Sequence, residues 1–221
     1  MAATNDLSQT LRITEIFLSL QGESNTVGLL TVFVRLTGCP LRCQYCDSAY
    51  AFSGGKLMSL EAIIRQVEEF GVKRVTVTGG EPLAQSHVHP LMSELCDREF
   101  CVSLETSGAL SIAEVDQRVV RVMDVKTPDS KEVHRNLWEN LAVLNHQDQI
   151  KFVICSRSDY EWAKLKCQEY GLTERVADVL FSPSFDQIVP VDIGNWVVED
   201  RLPVRVQLQL HKLLWGDEPG H

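Results

Sequence analysis

The stretch TVFVRLTGCPLRCQYCDS, Thr31 to Ser48, decides how this chain folds. Its first six residues are rich in β-branched side chains and contain no turn former, which predicts a buried strand. Thr37 and Gly38 then stop the strand, and the loop that follows holds Cys39, Cys43 and Cys46. A buried strand whose C-terminal end opens into a loop of reactive side chains is the unit from which α/β active sites are built.

The unit recurs. RVTVTGG (Arg74–Gly80), FCVSLETSG (Phe100–Gly108), VVRVMDVK (Val119–Lys126), IKFVICS (Ile150–Ser156) and DVLFSPS (Asp178–Ser184) read as further strands. Polar motifs again mark strand ends: TGGEP, ETSG, DVKTP and SPS. Between strands, Leu60, Ile63, Ile64, Val67 and Phe70 follow helical spacing behind a capping Ser59 and before Gly71. Asp159–Tyr170, closed by Gly171, predicts a second helix, and His134–Leu144 a third. Strand–helix alternation repeated about six times implies parallel strands with right-handed crossovers. A complete eight-unit barrel takes about 250 residues, more than the 221 present. The expectation is one α/β domain over residues 1–221, a partial TIM-like barrel of about six parallel strands with flanking helices.

Bulk properties narrow the function. A 44% hydrophobic content suits a single core, and a net charge of −9 without a basic run argues against a nucleic-acid partner. No apolar run of about 18 residues is present, so no membrane span is expected. MAATNDLSQTLR has neither a charged nor an apolar leader region, which points to the cytoplasm. In that reducing compartment seven cysteines predict metal or redox chemistry rather than disulfides.

Structural zinc takes four closed ligands, and His87 lies outside a finger's spacing, although it could approach in space. Electron-carrying iron–sulfur clusters normally take four cysteines. Cys96, Cys101, Cys155 and Cys167 show no ligand spacing and are expected to be buried small hydrophobes. Three thiolates on one loop can hold three irons of a four-iron cube and leave the fourth open for chemistry.

The C-x3-C-x-aromatic-C spacing with Tyr45, together with TGGEP downstream, resembles the radical S-adenosylmethionine (SAM) superfamily. ITEIFLSLQGES, the cluster loop with YCDS, LETSG and QLHKLLWG resemble, over nearly the whole chain, the 7-carboxy-7-deazaguanine synthase family within it. The resemblance implies a radical SAM core with one [4Fe–4S] cluster on Cys39, Cys43 and Cys46, SAM on the open iron, and Mg²⁺. It implies ring contraction of 6-carboxy-5,6,7,8-tetrahydropterin to 7-carboxy-7-deazaguanine with loss of ammonia, a step in queuosine and deazapurine biosynthesis. A homodimer, and an electron donor of the flavodoxin or ferredoxin type, are implied as well.

Site residues follow from the same resemblance. Ser48 would ligate Mg²⁺, keeping the oxygen of a threonine common there. Tyr45, Cys46, Asp47, Gly80, Glu81, Ser107, Asp124, Val125, Lys126, Ser182 and Ser184 fall at the SAM site, although Asp124-Val125 replaces the Ser-Pro of many relatives. Leu20, Gln21, Gly22, Arg35, Thr78 and His211 fall at the substrate site. Gln21 would offer both donor and acceptor to the pterin edge, and Gly22 would admit close stacking. A charge inside a buried strand is costly unless paired, and for Arg35 a two-point grip on the substrate carboxylate is expected over a structural ion pair. His87, His89, His134, His146 and His221 read as solvated. A glycyl-radical activase shares the cysteine spacing but carries a DGPGIR-like stretch where this chain has LQGES. A non-catalytic zinc or iron–sulfur module leaves TGGEP and the polar strand ends unexplained.

Overall fold

The computed structural model describes residues 6–216, 218 and 220. His221 therefore lies outside the described residues. Among the described residues nine strands form one sheet: β1 Thr10–Leu20, β2 Leu30–Leu36, β3 Lys56–Ser59, β4 Arg74–Gly79, β5 Cys101–Thr106, β6 Val120–Asp124, β7 Gln149–Ile154, β8 Asp178–Pro183 and β9 Arg205–Val206. The helices are α1 Leu60–Glu69, α2 Val88–Asp97, α3 Arg157–Tyr170, α4 Leu172–Arg175, α5 Pro190–Asp200 and α6 Leu210–Trp215. The strand order β3-β1-β2-β4-β5-β6-β7-β8-β9 leaves β3 and β9 as edges, so the barrel is partial and open. Pairing is parallel from β2 through β9, as the alternation predicted, whereas β1 runs antiparallel to both β2 and β3.

Each central strand sends alternate residues to opposite faces. One face meets the helices: Val32, Val34 and Leu36, then Val75 and Val77, Val102 and Leu104, Ile150, Phe152 and Ile154, Val179 and Phe181. Against them α1 sets Leu60, Ile63, Ile64 and Val67, all at most 2% exposed. At roughly 1.5–3 kcal/mol for each such side chain, this stripe is what holds the helix on the sheet. Ser59 caps α1 as expected, its Oγ accepting from Ala62 N at 3.2 Å. Ser156 caps α3 in the same way, which starts that helix at Arg157, two residues before the predicted Asp159.

Not every crossover is helical. β5 and β6 are joined by a loop, and the predicted helix over His134–Leu144 is instead two short 3-10 turns, Val133–Arg135 and Trp138–Ala142. Asparagine side chains explain the difference. Asn136 bonds both the N–H and the C=O of Lys126, and Asn140 reaches Ile112, Gly108 and Leu110. Tertiary bonds of this kind compete with helical ones. On the helix-facing side of β6, Arg121 forms a fully buried two-point pair with Asp148, Nη2 to Oδ2 at 2.7 Å.

The non-motif cysteines are not uniformly buried. Cys167 is in the core, Cys96 and Cys155 are half-buried, and Cys101 is exposed because it opens β5 at the end remote from the cysteine loop. Of the histidines expected to be solvated, His134 and His146 are exposed, but His87 and His89 are half-buried. His87 Nδ1 lies 3.1 Å from the Thr10 carbonyl, which ties the start of α2 to β1.

Candidate active site

The strand face turned away from the helices lines a cavity of about 230 Å³ at the C-terminal ends of the parallel strands. Phe33 and Arg35 come from β2, Thr78 from β4, Glu105 from β5, Val122 and Asp124 from β6, Lys151 and Val153 from β7, and Ser182 from β8. The loops after these strands close the walls. Of the site residues expected from sequence, all but Glu81 and Val125 line this one cavity.

The cysteine loop is held by backbone bonds at both ends. Gly38 N donates to Ala51 O at 2.8 Å, and Gln44 N to Ser130 O at 3.2 Å. Arg42 Nη1 ties the loop internally through the carbonyls of Cys39 and Leu41. Gly80 sits against it so closely that an added Cβ would lie 2.3 Å from Gly38 O and 2.7 Å from Cys39 Cβ. The glycine is thus required for packing the β4 end onto the cysteine loop, as well as for any approach of a ligand. Cys39, Cys43 and Cys46 are half-buried and face the cavity. Burial raises all three thiol pKa values, that of Cys43 to about 11, with the Lys126 ammonium pulling the other way.

Among the described residues no three His, Cys, Asp or Glu side chains converge on one point as ligands of a single ion do. Thiolates that each hold a different iron of a cube have no need to converge. Beside the thiols, Tyr45 Oη, Asp124 Oδ1 and Ser182 Oγ are buried with no protein partner. Buried polar atoms are ordinarily bonded, and three orphans on one cavity fit a polar cofactor seated against the cysteine loop.

Glu81 has a different task from the one expected. Fully buried, its carboxylate accepts from Thr106 Oγ1 at 3.0 Å, Ser107 N at 2.7 Å, Ser107 Oγ at 2.5 Å and Leu83 N at 3.0 Å. It straps the end of β4 to the end of β5 and has no remaining side toward the cavity. Ser107 lines the cavity, but its hydroxyl is spent on this strap. Val125 points into the hydrophobic core, as strand alternation after Asp124 requires.

The rest of the cavity lining is crowded with charge. Arg35 Nε donates to Glu15 Oε1 at 2.6 Å, and Tyr50 Oη bonds the same oxygen at 2.8 Å. The structural ion pair set aside in the sequence reading is therefore present, through Nε. Neither terminal nitrogen of Arg35 meets a protein acceptor among the described residues. Gln21 is engaged internally: its Nε2 donates to Thr76 Oγ1 at 3.0 Å and Glu105 Oε1 at 3.4 Å, and its Oε1 accepts from Glu23 N. Its amide props up two glutamates rather than offering free groups. The space over Gly22 belongs to His211, whose Nδ1 lies 2.0 Å from where a Cβ would be. Burial lowers the His211 pKa, which keeps the ring neutral at neutral pH. Ser48 Oγ donates to Asp47 Oδ1 at 2.8 Å, so a hydroxyl and a carboxylate stand side by side on the cavity wall.

Sequence reading missed Glu23, Glu105, Lys151 and Gln209. Lys151 Nζ bonds Glu23 Oε2 at 2.5 Å and lies 3.7 Å from Asp124 Oδ2, which Lys126 Nζ holds at 3.0 Å. Gln209 Nε2 takes the other Glu23 oxygen at 2.7 Å. Burial raises the pKa of Glu105, with Lys151 opposing. Burial would lower the pKa of both lysines, but the carboxylates around them outweigh it and both are raised.

Known proteins give this geometry a setting. The Radical SAM superfamily profile matches residues 33–139, from β2 to the turn before β7. The 7-carboxy-7-deazaguanine synthase of Koribacter versatilis (strain Ellin345) is 44% identical over 222 residues, covering 94% of this chain and 98% of the relative. That of Chlorobaculum tepidum is 43% identical over 211 residues, covering 94% and 96%. The crystal structure of QueE from Escherichia coli superposes with a TM-score of 0.75 over 91% of this chain and 95% of that one. At 22% identity that likeness speaks to the fold alone.

Proposed function

The chain belongs to the 7-carboxy-7-deazaguanine synthase family of the radical SAM superfamily, and on that premise we propose that it contracts the ring of 6-carboxy-5,6,7,8-tetrahydropterin to 7-carboxy-7-deazaguanine with loss of ammonia. Membership carries a [4Fe–4S] cluster and SAM as cofactors and makes the chain a radical SAM lyase. When bound, the pair supplies a 5′-deoxyadenosyl radical that abstracts hydrogen from substrate.

The observation that carries the reading is one cavity lined by two sets of side chains, which meet at Asp124 and Lys151. One set comprises the three thiols, the orphaned Tyr45, Asp124 and Ser182 atoms, and Lys126. Cys39, Cys43 and Cys46 would hold the cluster, and the orphans would meet polar groups of SAM. The other set comprises Arg35, Glu23, Glu105, Lys151 and His211. In this set the free terminal nitrogens of Arg35 suit a carboxylate, and the glutamates suit the N–H groups of a pterin ring. Ser48, beside Asp47, would offer oxygen to Mg²⁺, a hard ion that takes few protein ligands and completes its shell with water and substrate. Water exclusion falls to the hydrophobic wall of Leu20, Phe33, Leu41 and Phe52.

We further propose a single domain over residues 1–221, a homodimer, a cytoplasmic setting, and an electron donor of the flavodoxin or ferredoxin type. Acidic net charge and the want of a basic run support an absence of nucleic-acid partners. No helix among the described residues is long and apolar enough to cross a membrane.

The test is anaerobic incubation of reconstituted protein with SAM, reductant, Mg²⁺ and carboxytetrahydropterin, followed by mass spectrometry. A product lighter by ammonia, formed over many turnovers, is expected. Reduced, SAM-cleaving protein that leaves the pterin unchanged would refute the substrate assignment.

A further inference from the structure

Lys151 stands out as a charge inside an apolar strand. It sits mid-strand in QIKFVI, between Ile150 and Phe152 of the core, on the cavity face with Val153. The register places it directly opposite Asp124 of β6 and Leu180 of β8. A buried ammonium is costly unless paired. Here Glu23 binds it at 2.5 Å, and Asp124 lies beyond hydrogen-bond reach at 3.7 Å. An ammonium has three donors, so capacity remains toward the cavity.

We propose that Lys151 is a positioning residue for substrate: with Gln209 its ammonium holds the Glu23 carboxylate in one orientation, aimed at the N–H groups of the pterin ring. The inference rests on the functional reading above. Four carboxylates, Glu23, Asp47, Glu105 and Asp124, line one cavity, and a cation among them offsets the repulsion of like charges at close range. Lys126 serves Asp124 in the cofactor set, and Arg35 is drawn to Glu15. That leaves Lys151 as the cation central to the substrate set. Glu23 is fixed at both oxygens, by Lys151 and by Gln209, so its carboxylate has one orientation. Among the described residues Glu105 accepts two long bonds, from Thr78 at 3.3 Å and Gln21 at 3.4 Å; burial raises its pKa and the Lys151 charge opposes that rise. The remaining titratable groups that sense Lys151 are Asp47, Tyr45 and His211, on the cysteine loop and α6.

The decisive variant is Lys151→Gln, which keeps the length and a donor to Glu23 but removes the charge. Two readouts on cluster-loaded protein are needed: turnover of carboxytetrahydropterin against pH, and affinity for 6-carboxypterin, a fluorescent probe, at neutral pH. A carboxylate that loses its cation binds its proton more tightly. The acid limb of the pH profile should therefore move up by about one unit, and affinity for the probe should fall about tenfold. Lys151→Arg should return the limb to its wild-type position, and iron content and unfolding midpoint check that each variant is intact. An acid limb unmoved in Lys151→Gln, or moved equally in Lys151→Arg, overturns the proposal. Wild-type protein that neither binds nor turns over a pterin would instead bring down the functional reading, and this inference with it.

Discussion

Glu81 offers the sharpest test of how TGGEP works. Were its carboxylate directed at the cofactor, its loss would cost SAM affinity and little stability. The structure assigns the reverse. Glu81→Ala removes the acceptor of Thr106 Oγ1, Ser107 Oγ, Ser107 N and Leu83 N in a fully buried site. The hydroxyls can turn to other partners, whereas the two backbone amides cannot. An unsatisfied buried donor costs about 1–3 kcal/mol, so the pair costs about 2–6 kcal/mol. With about 2–4 °C lost per kcal/mol in a chain of this size, the midpoint of thermal unfolding should fall by roughly 8–16 °C for a central value near 4 kcal/mol. Glu81→Gln retains one carbonyl but turns an NH₂ toward donors, and should fall between. The assay is urea and thermal unfolding of the metal-free protein, with SAM affinity of the cluster-loaded form measured alongside. A Glu81→Gln protein within about 0.5 kcal/mol of wild type, yet binding SAM about tenfold more weakly, would refute the strap and return Glu81 to the cofactor.

Three further outcomes are expected. Replacing any of Cys39, Cys43 or Cys46 by Ala should abolish iron binding and turnover, while Ser at Cys96, Cys101, Cys155 or Cys167 should leave iron content intact, as read by iron analysis. Arg35→Lys should lower turnover by at least about tenfold because an ammonium cannot reproduce the planar two-point contact; substrate-free cleavage of SAM should survive, and its loss would assign Arg35 to the fold through Glu15. Ser48→Ala should raise the Mg²⁺ concentration needed for turnover and Ser48→Thr should be near neutral, so an Ala variant with unchanged Mg²⁺ dependence would place the metal elsewhere.

The six central strands were legible because each is a short β-branched run closed by a polar motif, and parallel pairing followed from their spacing. What failed to show was whatever depended on partners distant in sequence. Strand β1 contains Glu15 and Ser19 among its apolar residues, and its antiparallel pairing with β2 and β3 makes a strand of it. His134–Leu144 has helical spacing, but Asn136 and Asn140 find better partners across the fold than along the chain. Helix α2 was missed because His87 offers no side-chain cap at its N-terminus and Pro90 falls in its first turn.

The site was legible where a motif marked it and hidden where only alternation did. Arg35 drew notice as a charge inside an apolar strand, yet Lys151 in IKFVICS and Glu105 in VSLETSG break the pattern in the same way. Taken together, Arg35, Thr78, Glu105, Asp124, Lys151 and Ser182 occupy the same side of six successive parallel strands. One polar residue per strand, each in phase with the next and out of phase with the core, is what an open barrel with a wet interior demands. Any one of these residues in isolation is a costly intrusion in a strand. Six on one face, with Asp124 and Lys151 paired across β6 and β7, offset one another's cost and leave a cavity whose charge is set by the fold itself. The period of two in strands already counted as buried was therefore the signal for Lys151 and Glu105, and it is independent of any motif.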